Sequence, residues 1–160
     1  MSENHTTTYT EGIFVGYRGY DEKNIEPQFC FGHGLSYTEF EYGKLEVTTN
    51  RIPANGSVTV TVEVKNTGER AGDEIAKLYI NPVKSSVPWP PKELRGFERV
   101  SLKSGEKKTV SLTLPAGQLA FYDVKTHGFV VEPGAFDIMV GSSSRDIRGK
   151  LRLEVVAADK

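Results

Sequence analysis

Residue types that commonly carry out chemistry are present in this chain of 160 residues, but they are scattered. The closest pairing is that of His33 and Ser36 in the string Gly32–Tyr37 (GHGLSY), which nucleophilic catalysis could use. Ser36 is flanked by leucine and tyrosine, so the string is not the Gly-x-Ser-x-Gly turn that exposes a nucleophilic serine. We interpret it as a tight turn, in which the glycines allow unusual backbone angles and His33 bonds locally.

Composition excludes several other kinds of site. The single cysteine, Cys30, rules out an internal disulfide and a multi-thiolate metal site, and the three histidines lie far apart. We therefore predict no metal and no cofactor. Cys30 lies between two phenylalanines, a setting typical of a buried, unreactive thiol. The 20 basic and 21 acidic residues give a net charge of −1, which argues against a nucleic acid or an anionic membrane as partner.

The sequence also lacks targeting signals. No apolar run approaches the ~20 residues of a membrane span. The first residues, Met1–His5, have neither the basic nor the apolar region of a signal peptide. We expect a soluble chain, whose compartment these features leave open.

Trp89, the only tryptophan, lies in the proline-rich stretch Pro82–Pro91. Three interpretations are open: a domain-interface anchor, packing at the core or its edge, or a platform for a sugar ring, with Tyr79 or Phe97 beside it. The flanking prolines keep the segment off a strand ladder and argue against the core. The first interpretation is favoured over the other two.

Arg18 and Asp21 stand among aromatic residues near the start of the chain. The planar guanidinium of an arginine suits pairing with a carboxylate across a domain seam. A plain surface pair is the alternative, and it would stabilise the fold by only about 0–1 kcal/mol.

The elements that must hold these residues are predicted to be strands from residue 43 onward. Valine and polar residues alternate four times over Val58–Lys65, which is the period of a half-buried strand. Similar runs, separated by Asn-Gly, Ser-Gly and Pro-Gly turn pairs, predict further strands. They cover Leu45–Thr49, Ile75–Ile80, Glu93–Leu102, Val110–Leu114, Leu119–Val124, Gly128–Val131, Phe136–Val140 and Leu151–Val155. The pattern predicts an all-β fold, an antiparallel two-sheet β-sandwich.

Residues 1–42 differ in composition from the rest. They hold nine of the sixteen aromatic residues and a single valine. Forty-two residues are too few for an independent core, so we predict an irregular segment. Its apolar groups at 13–15 and 29–31 must fold onto the sandwich or pack against a neighbour outside this sequence.

Two strings in that segment, Glu11–Arg18 (EGIFVGYR) and Phe31–Thr38 (FGHGLSYT), resemble the end of the α/β-sandwich domain in glycoside hydrolase family 3. The residues that follow resemble that family's C-terminal fibronectin type III-like domain. Its landmarks here are Val64–Gly68, Lys92–Phe97, Leu119–Asp123, Pro133-Gly134 and Val140–Ser144. Cys30 and Gly19 depart from the family's usual proline and aromatic residue. The resemblance implies a tail of the α/β-sandwich domain at 1–42 and a fibronectin type III/immunoglobulin-like sandwich at 43–160.

The resemblance also implies that the catalytic residues of the family are absent from this sequence. Retaining enzymes of this β-glucosidase and β-xylosidase family need two carboxylates about 5 Å apart, and neither role maps onto an acidic residue here. We therefore predict a non-catalytic accessory domain that packs on the catalytic domains, in cis or in trans. The alternative is a carbohydrate-binding module that binds weakly through Trp89. We also expect the isolated chain to self-associate through residues 9–42, unless that segment folds onto the sandwich. The interface candidates are Phe14, Tyr17, Arg18, Phe31, His33, Tyr37 and Trp89.

Overall fold

The structure is a computed structural model that describes residues 7–158. The first six residues of the predicted N-terminal segment and the last two of the sandwich lie outside the described residues. About 49% of the residues are in strands and 7% in helices. The strands are β1 Phe40–Val47, β2 Arg51–Pro53, β3 Ser57–Asn66, β4 Gly72–Pro82, β5 Glu93–Leu102, β6 Lys107–Pro115, β7 Phe121–Asp123, β8 Gly128–Val130, β9 Gly134–Gly141 and β10 Ile147–Val156. One α-helix, α1, spans Tyr17–Glu22, and a 3₁₀ turn spans Ala116–Leu119.

The strands form two facing sheets and a small hairpin. The smaller sheet has the order β1-β3-β6, and the larger has the order β2-β10-β9-β4-β5. Among the described strands, β7 and β8 pair only with each other. The predicted two-sheet β-sandwich is confirmed. One pairing departs from the antiparallel prediction, because the short edge strand β2 runs parallel to β10.

The core lies between the two sheets and follows the alternation seen in the sequence. The inward side chains of β3 are four valines, Val58, Val60, Val62 and Val64, all buried. They pack in one cluster with side chains of the larger sheet, among them Leu78 and Ile138. Burial of such apolar area is the main stabilising contribution to a fold of this kind. A closed core explains how the sandwich holds its loops in place.

Strand β4 breaks the alternation, because five consecutive residues from Ala76 to Ile80 are buried. Ala76, Leu78 and Ile80 belong to the core cluster between the sheets. Lys77 and Tyr79 point the opposite way, because successive side chains of a strand point to opposite faces. Something must therefore cover the outer face of the larger sheet.

The observed elements differ from the predicted ones by a few residues at most strand ends, and by one strand and one helix that were not predicted. Strand β1 begins at Phe40, so the last residues of the segment 1–42 are in the sandwich. Strand β2 was not predicted, since its three residues are too few to show a period. Within the segment predicted to be irregular, α1 makes one and a half turns after Gly16, which has a φ of 58°. Among residues 7–158, no helix is long and apolar enough to cross a membrane.

Candidate domain interface

Residues 7–39, which we call the N-terminal segment, cover the outer face of the larger sheet. The ring of Tyr17 is stacked on Phe31, with the ring centroids 4.7 Å apart. The same ring meets Tyr79 of β4 edge-on, at 6.3 Å. Tyr79 is fully buried as a result. Of the two arrangements open at the sequence level, this segment therefore folds onto the sandwich.

Hydrogen bonds fix the segment on that face. The backbone N–H of Leu94, in β5, donates to the Tyr17 hydroxyl over 2.8 Å. The N–H of Ser144 donates to the carbonyl of Phe31 over 2.9 Å. The Cys30 thiol lies 3.3 Å from the Ser143 hydroxyl, to which it donates. Burial raises the pKa of Tyr17, although the bond from Leu94 opposes that effect.

Ion pairs add to this attachment. Arg18 pairs with Glu93 at the start of β5, with 3.3 Å between Nη1 and Oε1. Asp21 is 2.9 Å from both the Lys92 ammonium and the Arg145 guanidinium, and its side chain is only 3% exposed. These pairs join the segment to the sandwich and are more buried than plain surface pairs.

A buried lysine lies beneath the turn at Gly32. The Lys77 ammonium donates to the carbonyl oxygens of Ser142, at 2.5 Å, and Ile75, at 3.2 Å. Burial lowers the pKa of Lys77. Gly32 has a φ of 81°, and a Cβ there would lie 2.6 Å from the Lys77 Cε atom. The backbone angle of this position therefore favours glycine, as the sequence predicts, and a Cβ there would displace the end of the Lys77 side chain.

The end of the segment is held by a buried asparagine. The Thr38 hydroxyl donates to Oδ1 of Asn66 over 2.6 Å. The Asn66 amide in turn donates to the carbonyl oxygens of Arg70 and Leu102, at 2.7 and 3.1 Å. A buried polar side chain is stable only when its hydrogen bonds are made, as they are here. The loop before β1 is therefore held by bonds at both ends.

The other side of the segment presents large apolar side chains to solvent. These are Tyr9, Ile13, Val15, Tyr20, Ile25, Phe29, Phe31, Leu35 and Tyr37, which we call the exposed apolar set. Leu35 and Tyr37 are 94% and 92% exposed. Monomeric proteins seldom expose apolar patches larger than a few hundred Å², and such surface marks an interaction site.

The structure divides the predicted interface residues into two groups. Tyr17 and Arg18 face the sandwich, and Phe14 is half-buried. Phe31, His33 and Tyr37 are exposed, and the His33 ring is stacked on Phe29 at 5.4 Å. The His33 backbone N–H donates to the Cys30 carbonyl, which is the local bond expected of the turn.

Trp89 is half-buried and packs against the edge of the core. The Arg95 guanidinium lies 5.9 Å from the centroid of its ring, on one face. The expectation that Tyr79 could stand beside it in a sugar platform is wrong, because Tyr79 is fully buried beneath Tyr17. Phe97 is exposed.

Sequence reasoning missed three residues of this region. In the sequence, Leu35 stands out only because it flanks Ser36. Its position between a glycine and a serine, in a turn, could have indicated an exposed apolar side chain. Lys77 gave no signal, and Asn66 appeared only within the landmark string Val64–Gly68, because the burial of both depends on residues distant in the sequence. Within residues 7–158, no group of three or more His, Cys, Asp or Glu side chains could hold a metal ion.

The sequence of this chain is similar to those of known proteins. Residues 74–144 match the family profile of the fibronectin type III-like domain. The chain is 52% identical over 145 residues to thermostable beta-glucosidase B of Acetivibrio thermocellus, covering 91% of this chain and 19% of that protein. It is 45% identical over 148 residues to beta-glucosidase BoGH3A of Bacteroides ovatus, covering 92% and 20%.

A solved structure shows the same fold. The crystal structure of DesR, a beta-glucosidase from Streptomyces venezuelae, superposes with a TM-score of 0.88 at 40% identity. The match covers 96% of this chain and 20% of that one. The chain thus spans about a fifth of the length of the curated relatives it matches. The part of those enzymes that carries catalysis is outside the match.

Proposed function

We propose that this chain is the C-terminal part of a protein of glycoside hydrolase family 3, and that it is an accessory domain packed on the catalytic portion of that protein. The 160 residues match only the C-terminal part of the related beta-glucosidases and lack their catalytic portion. The proposed work is mechanical: the domain covers apolar surface of the catalytic portion and stabilises it.

The proposal is based on a difference between the two sides of the N-terminal segment. One side is bonded to the sandwich through Tyr17, Asp21 and Thr38. The other side presents the exposed apolar set. A loop held at both ends that displays apolar side chains loses little entropy on binding, because it is already ordered. Such preorganised anchors suit a permanent interface.

The start of the N-terminal segment supports a more specific proposal about which domain it belongs to. Ile13, Phe14 and Val15 form an apolar run bounded by Gly12 and Gly16, which is the pattern of a buried strand. They are in no strand here, and Ile13 and Val15 are exposed. We include in the proposal that the chain before Phe40 comes from the neighbouring α/β-sandwich domain and that this run is covered there. The chain from Phe40 onward, where β1 begins, is then the fibronectin type III-like domain.

Carbohydrate binding through Trp89 stays a prediction. The packing of Trp89 on the core and the guanidinium of Arg95 over its ring leave less of the indole free than a sugar platform needs. A pull-down on cellulose and xylan, with Trp89→Ala as the variant, tests it. Loss of binding in the variant would support this alternative.

Hydroxyl-radical footprinting of a hybrid enzyme tests the proposed interface. In the hybrid, this chain replaces the matching fifth of the Acetivibrio thermocellus beta-glucosidase. We expect Phe29, Leu35 and Tyr37 to be oxidised several-fold more slowly in the hybrid than in the isolated chain. Phe129, which is exposed on β8, serves as the internal control and should be oxidised equally in both. Equal oxidation of all four residues in the two proteins would contradict the proposed interface.

A further inference from the structure

The turn that joins β2 to β3 carries an exposed side-chain amide. The turn ends at Gly56, whose N–H donates to the carbonyl of Pro53 over 2.9 Å and so closes it. Asn55 is the third residue of the turn and is exposed. The strand residues on either side, Ile52 and Val58, are 2% and 1% exposed. The turn is therefore a short exposed loop between two anchored strands.

The side-chain amide of an asparagine can react with the backbone nitrogen of the next residue. That nitrogen gives its proton to the solvent and attacks Cγ, the Cγ–Nδ2 bond breaks, and Nδ2 takes up a proton and leaves as ammonia. The product is a five-membered succinimide ring, which water opens at either of its two carbonyl carbons. One opening gives aspartate. The other gives isoaspartate, in which the main chain runs through Cβ and Cγ and so contains one more atom.

Asn55 is the asparagine of this chain at which the reaction is most favoured. A following glycine helps it, because glycine has no Cβ to hinder the attack and its backbone rotates most freely. Asn55 is the only asparagine in the sequence that precedes a glycine, since the others precede His, Ile, Arg, Thr or Pro. Asn66 is also protected by the structure, because it is buried and its amide is hydrogen-bonded. Sequence and exposure therefore select the same residue.

Two hydrogen bonds restrain the attacking nitrogen. The Gly56 N–H is bonded to Pro53, and the Gly56 carbonyl accepts the N–H of Ala116 over 2.9 Å, at the start of the 3₁₀ turn. Attack on Cγ requires that the nitrogen leaves its bond and that the peptide plane rotates. Both require the turn to open locally, and exposed backbone with few buried contacts opens most often. The reaction should therefore proceed in the folded protein, but more slowly than in the unfolded chain.

The isoaspartyl product would disturb the pairing of the strands that follow. The extra main-chain atom lies immediately before Gly56, whose bond with Ala116 adjoins the first pair of β3 and β6, Ser57 opposite Pro115. A longer main chain displaces that bond. The 3₁₀ turn that the bond holds also contains Leu119, which is 1% exposed and belongs to the core cluster. This end of the sandwich should therefore be less stable in the product.

We propose that Asn55 is a site of spontaneous deamidation, that the turn between β2 and β3 sets its rate, and that the isoaspartyl product loosens the adjoining end of the sandwich. The site lies before the start of β3, whereas Asn66, which holds the N-terminal segment, is the last residue of that strand. The strand has 10 residues, a length of roughly 30 Å. The proposal is therefore independent of the accessory role proposed above.

Incubation of the whole chain in warm, mildly alkaline buffer, followed by mass spectrometry of its peptides, tests the site and its control by the turn. We expect the peptide with Asn55 to gain about 1 Da and to divide into two products of equal mass. The peptides with Asn24 and Asn50, which are also exposed, should react at least about fivefold more slowly. In urea, which unfolds the turn, the reaction at Asn55 should be at least about fivefold faster. Asn55→Gln, whose longer side chain closes such a ring poorly, should abolish it.

A second measurement tests the consequence for the fold. The isoaspartyl form, separated by chromatography, should melt several degrees below the fresh chain. Asn55→Asp is the matched control, because it has the new charge without the extra main-chain atom, and it should melt close to the fresh chain. No mass gain at Asn55 would overturn the proposed site, and a reaction no faster in urea would overturn its control by the turn. Equal Tm values of the isoaspartyl form and the fresh chain would overturn the proposed loosening.

Discussion

The hydroxyl of Tyr17 accepts a 2.8 Å hydrogen bond from the backbone N–H of Leu94, across 77 positions in the sequence. This bond joins the N-terminal segment to the first residues of β5. The ring of Tyr17 at the same time covers Tyr79, which points away from the core between the sheets. The segment is therefore an integral layer of the fold, and its removal would expose the outer face of the larger sheet.

Replacement of Tyr17 by phenylalanine should lower the free energy of unfolding by about 1 kcal/mol. The ring contacts stay, but the Leu94 N–H loses its acceptor, and a lost hydrogen bond of this kind costs about that much. Urea unfolding measures the change. Tyr20→Phe is the matched control, since its side chain is half-exposed on the same helix. Equal stability of the two variants would contradict the role of this bond.

Alanine at Gly32 should destabilise the protein by about 1–3 kcal/mol. The new residue would have to keep a φ of 81°, and its Cβ would clash with the Lys77 side chain. Gly34→Ala is the control, because no atom lies within 4 Å of a Cβ there and its φ is not in the left-handed region. Thermal unfolding compares the two. A Gly32 variant as stable as the Gly34 variant would show that the turn can move away from Lys77.

Acid should destabilise the protein partly through Asp146. Its hydrogen bonds from Arg148, helped by Ser142 and opposed by burial, hold the pKa of the folded-state carboxyl below its ordinary value of 3.8. The stability from this group is therefore present above about pH 4 and is lost as the pH falls through the folded-state pKa. In Asp146→Asn, the urea midpoint should fall less steeply between pH 4 and 2.5. An unchanged slope would show that Asp146 makes no such contribution.

The sequence predicts those features of the fold that depend on residues close together in the chain, and it does not predict those that depend on contacts between distant residues. Alternation along Val58–Val64 is local, so it predicted β3 and the side that faces the core. The continuous burial of β4 was not predictable, since Tyr79 is covered by a residue 62 positions earlier, Tyr17. The pairing of Asp21 with Lys92 and Arg145 was equally hidden, because it requires three distant parts of the chain.

Part of the candidate interface was predictable for the same reason. Residues 1–42 are rich in aromatic residues and too few for a core of their own. The sequence alone therefore indicates that another part of the protein must cover their apolar side chains. Which side chains face the sandwich and which face solvent depends on the turn at Gly32 and on α1. Tyr17 and Tyr37 were therefore predicted together, although one is attached to the sandwich and the other is exposed.

The isolated chain should self-associate through the exposed apolar set. The segment folds onto the sandwich, yet its outward side chains remain in water, where they favour association. Light scattering at high concentration should show an average mass above that of the monomer. Phe29→Ser with Leu35→Ser should reduce that mass, whereas Val124→Ser with Phe129→Ser should not. A monomer at all concentrations would contradict this prediction.

The most direct test of the accessory role is the thermal stability of the hybrid enzyme. Ile13→Ser, Phe29→Ser and Leu35→Ser are introduced together, both in the hybrid and in the isolated chain. If the domain stabilises the catalytic portion through this surface, the hybrid should lose several degrees of Tm and lose β-glucosidase activity on heating. The isolated chain should keep its Tm, because these side chains are exposed there. An unchanged Tm and unchanged heat resistance of the hybrid would contradict the account.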